Sequence, residues 1–234
     1  MQHGKIEERN FSGFSPQALS FLSGIKQNNT KAWFEAHKAE YRKHLLEPLQ
    51  NLALDLSPGM LEIDPLLMVG VKAVSRIQRD TRFSGHKAPY KSAMWIGFKR
   101  PVKEWTDSPA YFFEITPDAY RYGMGFYSAA PDTMRKFRQV VDEKPQAFKK
   151  AITFYPRQKT FVLEGETYKK LFDPAKPEEI QTWYQRKSFY LVCNRDIDER
   201  LFNSELADDL LEGFTLLSPL YQYLLNLKNP EFLP

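Results

Sequence analysis

Between positions 76 and 91 the chain reads Arg76-Ile-Gln-Arg79-Asp80-Thr-Arg82-Phe83-Ser-Gly-His-Lys87-Ala-Pro89-Tyr90-Lys91. Arg76, Arg79, Arg82, Lys87 and Lys91 stand there against one carboxylate, Asp80, and His86 can add partial charge. Lys72 lies upstream, and Lys99, Arg100 and Lys103 lie downstream with Glu104 alone opposing them. The whole chain carries 33 Lys+Arg and 29 Asp+Glu, a net +4, so much of the basic excess is local. Like charges held together repel unless something neutralises them. Guanidinium forks and ammonium heads suit a phosphate- or carboxylate-bearing small molecule. In that reading Asp80 orients an arginine and Tyr90 offers its hydroxyl at the edge of the site. The competing account is architectural. Asp80 pairs with Arg79 or Arg82, Phe83 and Pro89 anchor a loop over the sheet, and the remaining cations are solvated.

A second partner class is nucleic acid, because Phe83, Tyr90, Trp95, Phe98 and Trp105 are interleaved with the basic positions. The modest total charge and the scattered carboxylates rank it behind a small anion. No pattern commits the chain to a reaction, so the residues leave enzyme or binding module open. There is no Gly-x-Ser-x-Gly elbow, and Gly123-Met-Gly125 lacks the third glycine and following helix of a dinucleotide loop. Nothing in the spacing of Asp80, Glu114 and Asp118 brings two carboxylates together. His37 and His44 share a helix face without a ligand set around them, so neither a metal nor a cofactor is expected. The single Cys193 excludes an intramolecular disulfide and reads as a small core residue in Tyr190-Leu-Val-Cys193. The first ten residues lack the apolar region of a secretory signal, and no run approaches a membrane span, which together suggest a cytoplasmic protein. Self-association is not legible.

The elements that must hold these residues follow from periodicity. Ser15-Pro16 opens a helix with Ala18, Leu19, Leu22 and Ile25 on one face. Asn28-Asn29-Thr30 breaks it and caps a second helix from Lys31, which carries Phe34, His37, Tyr41 and Leu45. Pro48 kinks or restarts that helix, Leu49, Leu52, Ala53 and Leu56 continue it, and Ser57-Pro58-Gly59 ends it. Strands are predicted over 67–77, 93–99, 110–116 and 120–127, with Pro117-Asp118 turning the last pair. In the last of these, Tyr120, Tyr122, Met124 and Phe126 face one way; Arg121, Gly123, Gly125 and Tyr127 face the other. The two glycines leave a groove or admit another segment closely. Helices follow from Pro131 and Pro145, strands over 160–163 and 188–192 flank a short helix over 178–184, and a final helix starts near Ser204 with Pro219 bending it. Helices and strands segregate along the chain. The expected class is therefore α+β: one domain over 11–228, between tails 1–10 and 229–234, with a mainly antiparallel sheet packed by N-terminal and C-terminal helices.

Three blocks carry a resemblance. The run Asn28-Asn29-Thr-Lys-Ala-Trp33-Phe34-Glu-Ala-His37-Lys38-Ala-Glu-Tyr41, the basic block 76–91, and the hairpin 111–127 with Gly123 and Gly125 resemble the domain of unknown function 2461 family. The likeness extends over roughly residues 11–227. It implies a single α+β domain and brings no activity, substrate or cofactor. Where the family often has a charged residue before Lys87, this chain has Gly85-His86.

Overall fold

The computed structural model describes residues 9–80 and 88–228. Pro16 occupies the first turn of helix α1 (Pro16–Gln27), where its missing N–H costs nothing. Ser15 precedes it in extended conformation, but its hydroxyl meets His44 Nδ1 at 3.2 Å instead of capping the helix. Thr30 does cap, accepting from the Trp33 N–H, and opens α2 (Lys31–Ala36). The chain continues through α3 (Lys38–Glu40), a π-helical stretch (Tyr41–Leu46) and α4 (Glu47–Ile63). The expected stop at Ser57-Pro58-Gly59 is overturned, since α4 runs about one turn further, to Ile63, with Pro58 inside it. Tertiary packing accounts for this. Gly59 faces Leu211, and a Cβ there would lie 2.4 Å from that side chain, so the glycine admits the C-terminal helix.

The sheet is five-stranded and antiparallel throughout: β1 (Met94–Phe98), β2 (Pro109–Ile115), β3 (Ala119–Phe126), β4 (Val162–Glu164) and β5 (Tyr190–Asp196), in the order β1-β2-β3-β5-β4. Helices α5 (Pro131–Glu143), α6 (Pro145–Ala151) and α7 (Glu178–Tyr184) lie between β3 and β5, and α8 (Leu206–Leu225) closes the chain. The expected strand over 67–77 does not form. Gly70 takes a left-handed φ of +66° and starts a 3-10 turn (Gly70–Ala73), and the rest of the segment joins the sheet only through isolated bridges. This is the α+β fold that the segregated pattern implied.

The helices sit on one face of the sheet. Phe214 of α8 packs edge-on against Phe98, Tyr111 and Tyr122, and α4 lies against β1. Phe14 stacks on Phe113 from the same side. Burial alternates along β1 and β2 accordingly: Met94, Ile96, Phe98, Tyr111, Phe113 and Ile115 are buried, while Trp95, Gly97, Ala110, Phe112 and Glu114 on the other face are partly exposed. One-sided burial of this kind is open to antiparallel sheets. Gly123 and Gly125 do not line a groove. A Cβ on Gly123 would fall 1.9 Å from the Leu191 carbonyl oxygen, and one on Gly125 2.4 Å from Tyr190 Cα, so they let β5 approach β3. Among the described residues no helix is long and apolar enough to cross a membrane.

A buried ion pair joins the layers. Asp64, at the C-terminus of α4, is 1% exposed. It accepts from Arg100 Nε at 2.7 Å and Nη2 at 3.1 Å, from the Tyr221 hydroxyl at 2.6 Å, and from the Leu66 N–H at 3.0 Å. Burial alone raises a carboxyl pKa, but here the hydrogen bonds from Arg100, Tyr221 and Leu66 outweigh it and hold Asp64 below the ordinary value. Its folded pKa being depressed, the stabilisation is present above the unfolded value of about 3.9 and is lost as pH falls through the folded value. Asp64→Asn is expected to cost about 2–4 kcal/mol at pH 7, somewhat less than halving a fully buried pair because Arg100 is a third exposed. Urea titrations at neutral pH and below about pH 4 should show the variant losing less stability on acidification than wild type. In the same assay Gly123→Ala should cost about 1–3 kcal/mol, whereas Gly97→Ala, with nothing within 4 Å of the new methyl, should change little.

Candidate functional site

On either side of residues 81–87, which lie outside the described residues, the two flanks of the basic block are bridged together. Gln78 pairs with Tyr90 and Val74 with Ile96, both antiparallel, so residues 74–79 run beside 89–96 at the β1 edge. The Arg79 N–H donates to Pro89 O at 2.8 Å, the Lys91 N–H to Ile77 O at 2.9 Å, and the Ser75 N–H to Trp95 O at 2.8 Å. The Trp95 N–H in turn donates to Ser75 Oγ. A side chain from the N-terminal helices extends this ladder. Asn29 Nδ2 donates to Tyr90 O at 3.0 Å and Asn29 Oδ1 accepts the Tyr90 N–H at 3.0 Å, as a neighbouring strand would. Asn28 ends α1 and Thr30 caps α2, which leaves Asn29 for this clamp. The first two resembling blocks are therefore in direct contact.

This frame gathers three of the predicted residues. Lys91 Nζ donates to Arg76 O at 2.6 Å and sits 4.4 Å from the centre of the Trp95 ring. Burial, and then repulsion from Arg76 and Arg79, lowers the Lys91 pKa. Arg79 reaches Tyr90 O with Nη2 at 3.5 Å, a marginal contact, while its Nε is buried with no hydrogen-bond partner. Arg76 is exposed. Asp80 is exposed and takes part in an interaction of its own. Arg82, Lys87 and the proposed anchor Phe83 lie outside the described residues. Tyr90 differs from expectation. Its ring is buried and stacks on Phe34 at 4.4 Å between centroids, so it anchors the segment to the helices. Pro89 is exposed, so it holds the segment through its carbonyl and not through a ring in the core.

The residues expected to stack bases divide in the same way. Tyr90 and Phe98 are buried in the core and present no free ring. Trp95 and Trp105 are partly exposed, each beneath a lysine; Lys99 Nζ is 3.2 Å from the Trp105 ring centre. Burial lowers the Lys99 pKa. Arg100, next in sequence, is withdrawn from the basic set by Asp64. Two clefts lie elsewhere, one of about 190 Å³ beside Thr116, Arg121 and Arg195, the other of about 330 Å³ between α4 and α8. His37 stacks on Trp33 at 4.0 Å and bonds the Trp33 carbonyl. Among the described residues no group of His, Cys, Asp and Glu could hold a metal. Cys193 is buried in the sheet.

The clamp at Asn29 was hidden in the sequence because an asparagine at a helix boundary is fully explained by capping. Only the partner 61 residues away shows its second use. No curated protein matches the chain. A family model described as "Conserved hypothetical protein (DUF2461)" matches residues 17–223, which spans the N-terminal helices, the clamp, the basic strands, the sheet and α8. The chain belongs to the DUF2461 family.

Proposed function

We propose that the protein binds an anionic ligand, phosphate- or carboxylate-bearing, along the basic strands around Arg76, Arg79 and Lys91, with Arg82 and Lys87 next to them in sequence. The observation that carries this reading is the cost of the arrangement without a ligand. Burial, and then repulsion from two arginines, pushes the Lys91 ammonium toward deprotonation, and a buried Arg79 Nε goes without an acceptor. An unmet buried donor costs about 1–3 kcal/mol, and proximity of like charges adds to it. An oxyanion among the three heads would remove both penalties. Asn29 and Tyr90 position the strands and are not ligand contacts in this reading. The single cysteine and the absence of a long apolar run fit a cytoplasmic setting, where phosphorylated ligands abound.

Inorganic pyrophosphate is the simplest probe. At a hundred times its dissociation constant it should add about 2.7 kcal/mol of stability, roughly 5–10 °C in melting temperature for a chain of this size. Arg79→Gln and Lys91→Gln should abolish the shift while leaving the unliganded melting temperature within a few degrees. No shift in wild type, or an equal shift in both variants, contradicts the reading. The pH dependence has a definite sign. The ligand needs Lys91 protonated and its pKa is depressed, so the stabilisation should fall at a pH below the ordinary lysine value of about 10.4. Melting with and without pyrophosphate across an alkaline pH series checks this. In Lys91→Arg, whose side chain stays charged, the stabilisation should persist to higher pH.

A further inference from the structure

Gly97 sits in the middle of β1 without a conformational or packing reason. Its φ is not positive, and a Cβ built on it would have no atom within 4 Å. Glycine weakens a strand interior, and where the chain itself does not need the space, an approaching ligand is the remaining use. Among the described residues no helix covers this face along β1 and β2, and Phe112, partly exposed, is paired directly beside Gly97. Two residues along β1, Trp95 carries Lys91 on its ring. At the opposite end Trp105 carries Lys99, and Tyr127, 76% exposed, lies 5.4 Å from Trp105. The face thus offers an aromatic station at each end and one between, with cations at both ends. Trp95 and Lys99, four residues apart, are roughly 13 Å apart along the strand.

Two carboxylates of this face are engaged, and a third, Asp196, is exposed at the β5 end, away from β1. Glu114 is bound by Arg121 at 2.8 Å, and Glu164 accepts from the Tyr190 hydroxyl and from Asn194. From this juxtaposition we infer that the bare sheet face binds single-stranded nucleic acid, with bases on Trp95, the Gly97–Phe112 gap and Trp105–Tyr127, and phosphates at Arg76, Arg79, Lys91 and Lys99. A single small anion would meet one end only, whereas a strand with regularly spaced phosphates meets both. Stacking on aromatic side chains is sequence-tolerant, so the preference is for single strands and not for a particular sequence. The inference rests on the anion reading for its phosphate contacts and adds the aromatic platform and the polymer.

The test uses the full chain, a fluorescein-labelled oligothymidylate about 15 nucleotides long, and inorganic pyrophosphate in parallel. Anisotropy titrations should show binding that weakens with salt, with a log–log slope of about −2 or steeper for three or more neutralised phosphates. Tyr127→Ala removes an exposed ring and Gly97→Leu fills open space, so both should fold normally. Each should weaken the oligonucleotide roughly 5- to 100-fold and leave the pyrophosphate stabilisation intact. If wild type responds to pyrophosphate but not to the oligonucleotide, the platform is refuted and the anion reading survives. If it responds to neither, both fall. Binding unchanged in Tyr127→Ala and Gly97→Leu refutes stacking on this face. Sedimentation showing a wild-type dimer that Gly97→Leu dissociates assigns the face to a second copy of the chain and also overturns the inference.

Discussion

Asp64 keeps a full negative charge where almost no water reaches it, and the layers are arranged around meeting that charge. Its partners come from distant parts of the chain: Arg100 just beyond β1 and Tyr221 near the end of α8. Removing either would leave a buried carboxylate short of donors, which is far more costly than never having had the pair. The interaction therefore fixes α4, β1 and α8 relative to one another. It also sorts the cations. Arg100 is turned toward the helices and neutralised, and Lys99 beside it lies over Trp105. Tyr111 completes the cluster, its ring 4.8 Å from that of Tyr221 and its buried hydroxyl without a partner. Burial pushes both phenols upward, so neither ionises near neutral pH.

The second constraint is that all the helical cover falls on one side. The aromatic pairs that bind α8 and the N-terminal segment to the sheet use every second residue of β1, β2 and β3. The alternate residues face away from the helices, where Phe112 meets Tyr190 edge-on, Glu114 pairs with Arg121, and the glycines admit β5. Those positions carry the rings and charges that the functional reading uses. The basic strands at the β1 edge are held by backbone bridges and by Asn29, so their cations are presented by a fixed frame.

Much of the architecture was legible in local pattern. Pro16, Pro131 and Pro145 each open a helix where the sequence puts them, and the hairpin of β2 and β3 follows its alternation through the Pro117-Asp118 turn. The failures have a common physical origin in tertiary contact. Pro58-Gly59 reads as a stop until Leu211 is seen against Gly59, and the apolar run after Pro65 reads as a strand until Gly70 turns it. For the candidate site, the cluster of basic residue types was visible, and Arg76, Arg79 and Lys91 are brought together. The anchoring of the Tyr90 ring was not legible, because a tyrosine beside cations carries the same letter whether its ring faces solvent or Phe34. Asp64, Tyr221 and Gly97 carried no local signal at all. A lone acid, a tyrosine in an apolar helix and a strand glycine acquire meaning only from what lies across from them or fails to.

The account turns on three cationic heads that repel one another until an oxyanion joins them. Site-resolved titration of the Lys91 side chain by heteronuclear NMR, with and without pyrophosphate, reads the combined effect of burial and that repulsion, and the part of it an oxyanion relieves. The prediction is a Lys91 pKa below the ordinary lysine value in the free protein and a rise toward or above it when pyrophosphate is present. An ordinary lysine value in the free protein that does not move with pyrophosphate would contradict the account.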